Sequence, residues 1–116
     1  MADWANINAP VVKPAAAPLT NTANTGGDRF PATYGAKYLV RFNNTGGAPV
    51  TVTIDDSNSV APGSGNTFDP DVAIAVTNAQ ARAVLIDAAR FRDANGWINL
   101  TYSVAPTMTA EIYALP

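Results

Sequence analysis

Residues 93–104 read Asp93-Ala94-Asn95-Gly96-Trp97-Ile98-Asn99-Leu100-Thr101-Tyr102-Ser103-Val104, and this stretch decides the fold class. Asn95-Gly96 carries turn chemistry, because Gly meets no steric penalty at positive φ and Asn tolerates it better than most residues. Beyond the turn, Ile98, Leu100, Tyr102 and Val104 fall on one side, and Asn99, Thr101 and Ser103 on the other. A period of two is what a half-buried strand presents, so an all-β domain organised around this strand is expected.

Working outward, Ala105-Pro106-Thr107 turns the chain into a last strand with Met108, Ala110, Ile112 and Ala114 facing in. On the other side, residues 87–92 read as one helical or 3₁₀ turn, too short to stand alone, whose Phe91 is expected to plug the end of the core. Val72, Ile74 and Val76 form an apolar row. After Thr77-Asn78-Ala79-Gln80, Val84 and Ile86 return alongside it as a hairpin. Residues 37–43 alternate Tyr38, Val40 and Phe42 against Lys37, Arg41 and Asn43, with Leu39 the one apolar residue on the polar side. The glycine-containing loop 43–47 then joins this strand to Val50, Val52 and Ile54 as a second antiparallel hairpin. Residues 30–35 suit a short edge strand, since Pro31 is tolerated mainly at strand starts and edges.

Six to seven short strands and no architectural helix predict an antiparallel β-sandwich, Greek-key or jelly-roll-like, with a small barrel as the rival. The division expected is an extended Pro/Ala-rich N-terminal arm over residues 1–25 and a sandwich domain over 26–116. Pro10, Pro14 and Pro18 each remove a backbone donor and disfavour helix at the preceding residue. The arm's Trp4, Ile7, Val11, Val12 and Leu19 are too many for a solvated tail, yet they lack a period that would bury them on the same domain. Contact with a neighbouring subunit or host surface is the reading adopted; the plainer one is a leader with a few sticky residues. Deleting residues 1–19 is therefore expected to leave a folded domain with weakened assembly. Residues 56–71 form a long irregular loop, with Val60 and Phe68 as its apolar anchors.

Composition excludes several functions. The 116 residues contain no Cys and no His, which removes disulfides, thiolate metal sites and the commonest general base. Only 14% of residues are charged, for a net charge of -2, so nothing favours nucleic acid or an anionic membrane. No apolar run reaches the roughly 20 residues a membrane helix needs, and the first residues do not read as a secretory signal. A surface built from Thr, Asn, Ser, Ala and Gly suits a protein packed against neighbours, although an ordinary β domain of low charge would share it.

Chemical motifs are nearly absent. A nucleophilic triad lacks its base, and a glycosidase would need two carboxylates across a cleft, whereas the single Glu, Glu111, falls mid-strand. The pairs Asp55-Asp56 and Asp69/Asp71 flank the long loop, but their spacing matches no calcium loop and suits turn-forming aspartates better, so neither metal nor cofactor is expected and the chain does not read as an enzyme. Arg90 and Arg92 flank Phe91, and Trp97 lies opposite Ile98 and Leu100. They are read as rim or subunit contacts ahead of a cation-π or sugar-stacking platform, and Tyr34, Tyr38 and Tyr113 are read the same way.

The order Gly-Gly-Asp-Arg-Phe, Tyr-Leu-Val-Arg-Phe-Asn-Asn-Thr-Gly-Gly, Val-Thr-Val-Thr-Ile and Ala-Arg-Phe-Arg-Asp-Ala-Asn-Gly-Trp-Ile-Asn-Leu-Thr-Tyr-Ser, spanning residues 26–115, resembles small capsid decoration, or cement, proteins of tailed bacteriophages. The matching motifs lie at residues 43–54 and 91–103. The chain departs from the family pattern at Ile86-Asp87-Ala88-Ala89, where a Gly-Pro-Phe turn is usual. The resemblance implies a β-sandwich on the outer surface of the icosahedral head that clamps major capsid protein subunits, assembled as a homotrimer. On that reading Trp4, Ile7, Val11, Val12, Leu19, Phe68, Arg90, Arg92 and Trp97 are capsid or inter-subunit contacts. The alternative, from another class, is a carbohydrate- or receptor-binding module using Trp97, Tyr113 and the loop aspartates.

Overall fold

The turn before the deciding strand is built around one carboxylate. Asp93 accepts hydrogen bonds from Asn95 N at 2.8 Å, Trp97 N at 2.9 Å and Asn99 Nδ2 at 2.9 Å. Gly96 takes φ 91, which a side chain would resist. Burial alone would raise the Asp93 carboxyl, but donors from Trp97, Asn99, Asn95 and Gly96 outweigh it and hold it below the ordinary carboxylate value.

The computed structural model describes residues 2–8, 19–56 and 71–115. In chain order the strands are β1 (Ala2–Asp3), β2 (Ile7–Asn8), β3 (Asn21–Thr22), β4 (Asp28–Pro31), β5 (Lys37–Asn44), β6 (Val50–Ile54), β7 (Val72–Val76) and β8 (Gln80–Asp87). The single-turn helix α1 (Ala88–Phe91), β9 (Trp97–Tyr102) and β10 (Met108–Ala114) complete the chain. One sheet has the order β1-β4-β9-β6-β7; the other runs β2-β10-β5-β8, with β3 also on β10. From β3 onward, each strand lies in the opposite sheet from its predecessor except at β6 and β7, which is jelly-roll winding. The protein is an all-β sandwich, as the alternation predicts, and the barrel is ruled out by two separate sheets. The antiparallel expectation needs one amendment, because β1 joins β4 and β2 joins β10 in parallel.

The core sits between the sheets. Phe30, Val40, Phe42, Val52, Ile86, Ile98, Leu100 and Ile112 are fully buried, drawn alternately from each strand. Phe30 and Tyr38 meet edge to face at 5.5 Å, and Phe91 is buried at the end of the core. Gly27, at φ 97, brings β4 so close to β9 that an added Cβ would lie 2.6 Å from the Leu100 carbonyl oxygen.

Both predicted hairpins are corrected. β5 and β6 lie in different sheets, and so do β7 and β8. β6 pairs instead with β7 and β9, while β5 pairs with β8 and β10. In each case the short connection arches over the core. Asn44, buried within the first arch, donates from Nδ2 to the carbonyls of Ala48 and Val76 at 2.9 and 3.1 Å and accepts from Gly46 N at 3.0 Å. The sandwich thus satisfies the arch with a side chain where a hairpin would use a ladder. Two smaller corrections follow. β4 begins and ends earlier than the predicted 30–35 and is flanked on both sides, and Val104 lies beyond β9 with 48% exposure rather than in the core row.

Candidate functional site

The predicted contact residues that the structure describes, Trp4, Ile7, Leu19, Arg90, Arg92 and Trp97, lie in separate parts of the domain. Trp4 is 4% exposed and belongs to the chain's own core, with its Nε1 donating to the Thr22 carbonyl at 3.1 Å. Ile7 is half-buried and pairs in register with Ile112. Trp4 is thus buried on its own domain, which the lack of a period did not announce, while Ile7 keeps part of its surface. The two share no period because Trp4 follows β1, which lies on β4 in one sheet, and Ile7 lies in β2, which lies on β10 in the other. Leu19 remains exposed at 51%. Val11, Val12 and Phe68 lie outside the described residues.

What the segment does instead is seal an edge. β2 and β3 lie along successive halves of β10, with Ile7 and Asn8 opposite Ile112 and Tyr113, and Asn21 and Thr22 opposite Ala110 and Thr109. Polar side chains fasten the arrangement. Asn8 donates to the Leu19 carbonyl at 2.9 Å and accepts from Leu19 N at 2.7 Å, so the residues flanking the Pro-rich run are held together. Buried Asn21 makes the same two-way contact with the Asn6 backbone, at 3.0 and 3.3 Å.

The cationic residues are occupied. Arg90 Nε donates to Asp56 Oδ2 at 2.8 Å with its guanidinium 4.6 Å from the Phe91 ring, and Asp71 Oδ1 accepts from Asp56 N at 2.7 Å. The aspartates flanking residues 57–70 therefore clasp a backbone amide and an arginine. Arg92 Nε donates to the Ala32 carbonyl at 2.8 Å. Trp97 lies beneath a cation that sequence reading overlooked: Arg29 sits 4.0 Å over its ring and pairs with Asp3 at 2.7 Å. The antiparallel β4–β9 register, which puts Pro31 opposite Trp97, brings Arg29 within reach, and no local pattern announces it.

A buried carboxylate was also missed. Asp28 accepts from Asn24 N at 2.9 Å, Asn24 Nδ2 at 2.8 Å and the Tyr102 hydroxyl. Burial and then the Asp28 carboxylate push the Tyr102 hydroxyl far above its ordinary value, so it remains a donor. The site is closed and satisfied, a structural strut without a free group for catalysis. Among the described residues no cluster of three or more acidic residues is placed to hold a metal ion. A cleft of about 360 Å³ between β7 and β8 is lined by Ala75, Val76, Thr77, Gln80, Ala81 and Arg82, and the Thr77 hydroxyl there donates to Gln80 rather than to a general base.

The outer faces are the remaining candidates. On the β4-β9-β6-β7 sheet, Thr53 lies opposite Thr101 and Ala73, and Ser103 Oγ accepts from Thr51 N at 2.9 Å. This face is hydroxyl-bearing. On the β10-β5-β8 sheet, Tyr113, Leu39 and Leu85 form a row across three strands, with Leu85 55% exposed. A second row holds Glu111 and Arg41, paired at 3.0 Å, beside Ala83. Leu39, the exception in its strand's alternation, is the sequence trace of this apolar row.

No family model, curated protein or solved structure matches this chain. Among the described residues no helix is long and apolar enough to cross a membrane.

Proposed function

We propose that this chain is a structural protein of a tailed-phage virion, a decoration protein that binds the outer surface of the head and ties major capsid subunits together. The observation that carries the reading is the jelly-roll sandwich, an architecture frequent in viral capsid domains, whose outer faces include a Thr/Ala row on one sheet and a Tyr113–Leu39–Leu85 row on the other. Fold alone does not confer function, and the phage-like motifs at residues 43–54 and 91–103 supply the second support. The mechanism is energetic. Many copies, each touching more than one capsid subunit, raise the cost of separating those subunits through multivalency.

The N-terminal segment enters this mechanism differently from a free arm. With Trp4 in the core, residues 2–8 are part of the domain, and Leu19 is the described apolar residue of that segment left at the surface. The glycan-binding alternative draws no support from Trp97, whose ring is covered by Arg29, or from Tyr113, whose hydroxyl donates to Glu111 Oε1 at 3.4 Å. Co-sedimentation with phage heads lacking this protein tests the proposal. Saturable binding at regular lattice positions is the expected outcome, and heads that pellet without it would overturn the reading.

A further inference from the structure

The sheet edges of this sandwich are treated unequally. β4 is covered by β1, with Ala2 N donating to the Gly27 carbonyl at 3.2 Å and Trp4 N to the Arg29 carbonyl at 2.7 Å. β10 is covered by β2 and β3. At β7, Ser103 N donates to the Thr51 carbonyl, which turns the odd-numbered backbone groups of β6 toward β9 and leaves Ala73 and Ala75 of β7 facing outward. Arg82 reaches across from β8 and donates to that Ala75 carbonyl at 3.0 Å, placing a charge on the β7 edge.

Among the described residues β8 has no such guard. Ala88 N donates to the Ala36 carbonyl, so along the β5–β8 register the even-numbered residues of β8 turn their backbone groups to β5. The N–H and C=O groups of Ala81, Ala83 and Leu85 therefore face the open edge, and none has a partner there among the described residues. The strand is eight residues long and contains no Pro, no Lys and no bulge in its register. On the outer face the side chains of Ala81, Ala83 and Leu85 are small or apolar, Asp87 closes the strand, and the row Tyr113–Leu39–Leu85 runs up to the edge. Long, bare edges of this kind are what natural sheets otherwise avoid.

We infer that the open edge of β8 is where a second copy of this chain adds, antiparallel, to continue the β10-β5-β8 sheet through a two-fold axis near Val84. Three features select a second copy. Keeping the outer faces together requires odd residues to meet odd residues, so Ala83 lies opposite Leu85 of the second copy and Ala81 opposite its Asp87, with the outward backbone groups in register to bond. Arg82 is engaged with the Ala75 carbonyl, which leaves Asp87 as the charge on the outer face of β8; antiparallel pairing sets the two Asp87 carboxylates at opposite ends of the new ladder, while in-register parallel pairing would place them side by side. A two-fold contact also closes on itself, using the edge of both copies and leaving none exposed. The inference does not depend on the capsid reading, and it departs from the three-fold assembly that the family resemblance implies.

Sedimentation velocity of the full chain over rising concentration tests it, with a reversible species of twice the chain mass expected. Ala83→Pro removes one outward donor from an edge position where the β5 ladder is untouched, and Leu85→Lys places a guarding charge beside it. Both variants, shown folded by circular dichroism, should sediment as monomers, while Thr53→Lys on the opposite sheet should dimerise like the parent. Slowed exchange of the Ala83 and Leu85 amides with rising concentration is the independent readout. A chain that stays monomeric, forms trimers, or dimerises unchanged in both variants would overturn the inference. So would a monomer whose Leu85→Lys variant loses binding to phage heads, which would assign the edge to the capsid protein.

Discussion

The two flanks of the β10-β5-β8 sheet share one geometry and meet opposite fates. At β10 the chain's own first residues lie along the strand, with buried Asn21 and the Asn8–Leu19 clasp securing them. At β8 nothing in the described chain does so. An edge covered from within becomes part of the fold, whereas an edge left bare remains available for assembly. The same contrast separates Trp4, absorbed into the core, from Leu85, which stays 55% exposed.

If the N-terminal flank is structural, disturbing it must cost stability. Trp4→Ala should lower the unfolding free energy by about 3–5 kcal/mol, because it opens a cavity beneath β1. Denaturant melts would show it, and a near-neutral result would return the segment to the status of a free arm. Deletion of residues 1–19 should likewise destabilise the domain, contrary to the sequence-based expectation. Asn21→Ala comes next, at about 1–3 kcal/mol, since it strips partners from the Asn6 backbone. Opposite to both, Leu85→Lys should change the stability of the monomer by no more than about 0.5 kcal/mol, because the side chain is solvated there. A large loss would mean that β8 is packed rather than open.

The smallest effect expected at the sealed flank is electrostatic. The hydrogen bond from Arg29 lowers the Asp3 carboxyl from 3.8, with burial opposing more weakly and the guanidinium charge adding to the shift. A depressed folded value means that the contribution is present above the unfolded value of 3.8 and lost as pH falls through the lower, folded one. Protection of the Trp4 amide, which donates to the Arg29 carbonyl, should fall over that acid range when exchange is taken relative to the intrinsic rate at each pH, and Asp3→Asn should abolish that change. An amide that responds identically in both proteins would detach β1 from this ion pair.

Much of the site was illegible for the same reason that the fold was largely legible. Period-two alternation is local, so Ile98, Leu100, Val52, Ile112 and their neighbours could be assigned to the interior from spacing alone. Contacts such as Arg29 over Trp97, or Asp28 with Tyr102, join residues far apart in the chain through strand register. Leu39 did carry a readable trace. An apolar residue on the polar side of a strand has no local reason, and its reason is the outer row with Tyr113 and Leu85.

By itself the sequence determined the six longer strands, β5 to β10, and most of their inward faces, the Asn95-Gly96 turn, the single turn at α1 and the absence of histidine and cysteine chemistry. These follow from side-chain period, φ preference and composition, which act over a few residues. Only the tertiary structure decided which strands pair. The Asn43–Gly47 and Thr77–Gln80 connections look the same whether they close a hairpin or arch between sheets, because the inward face is buried either way. The choice is made by the whole core, where one sheet's apolar rows must meet the other's, and that demand also drew Trp4 inward and left β8 at the rim.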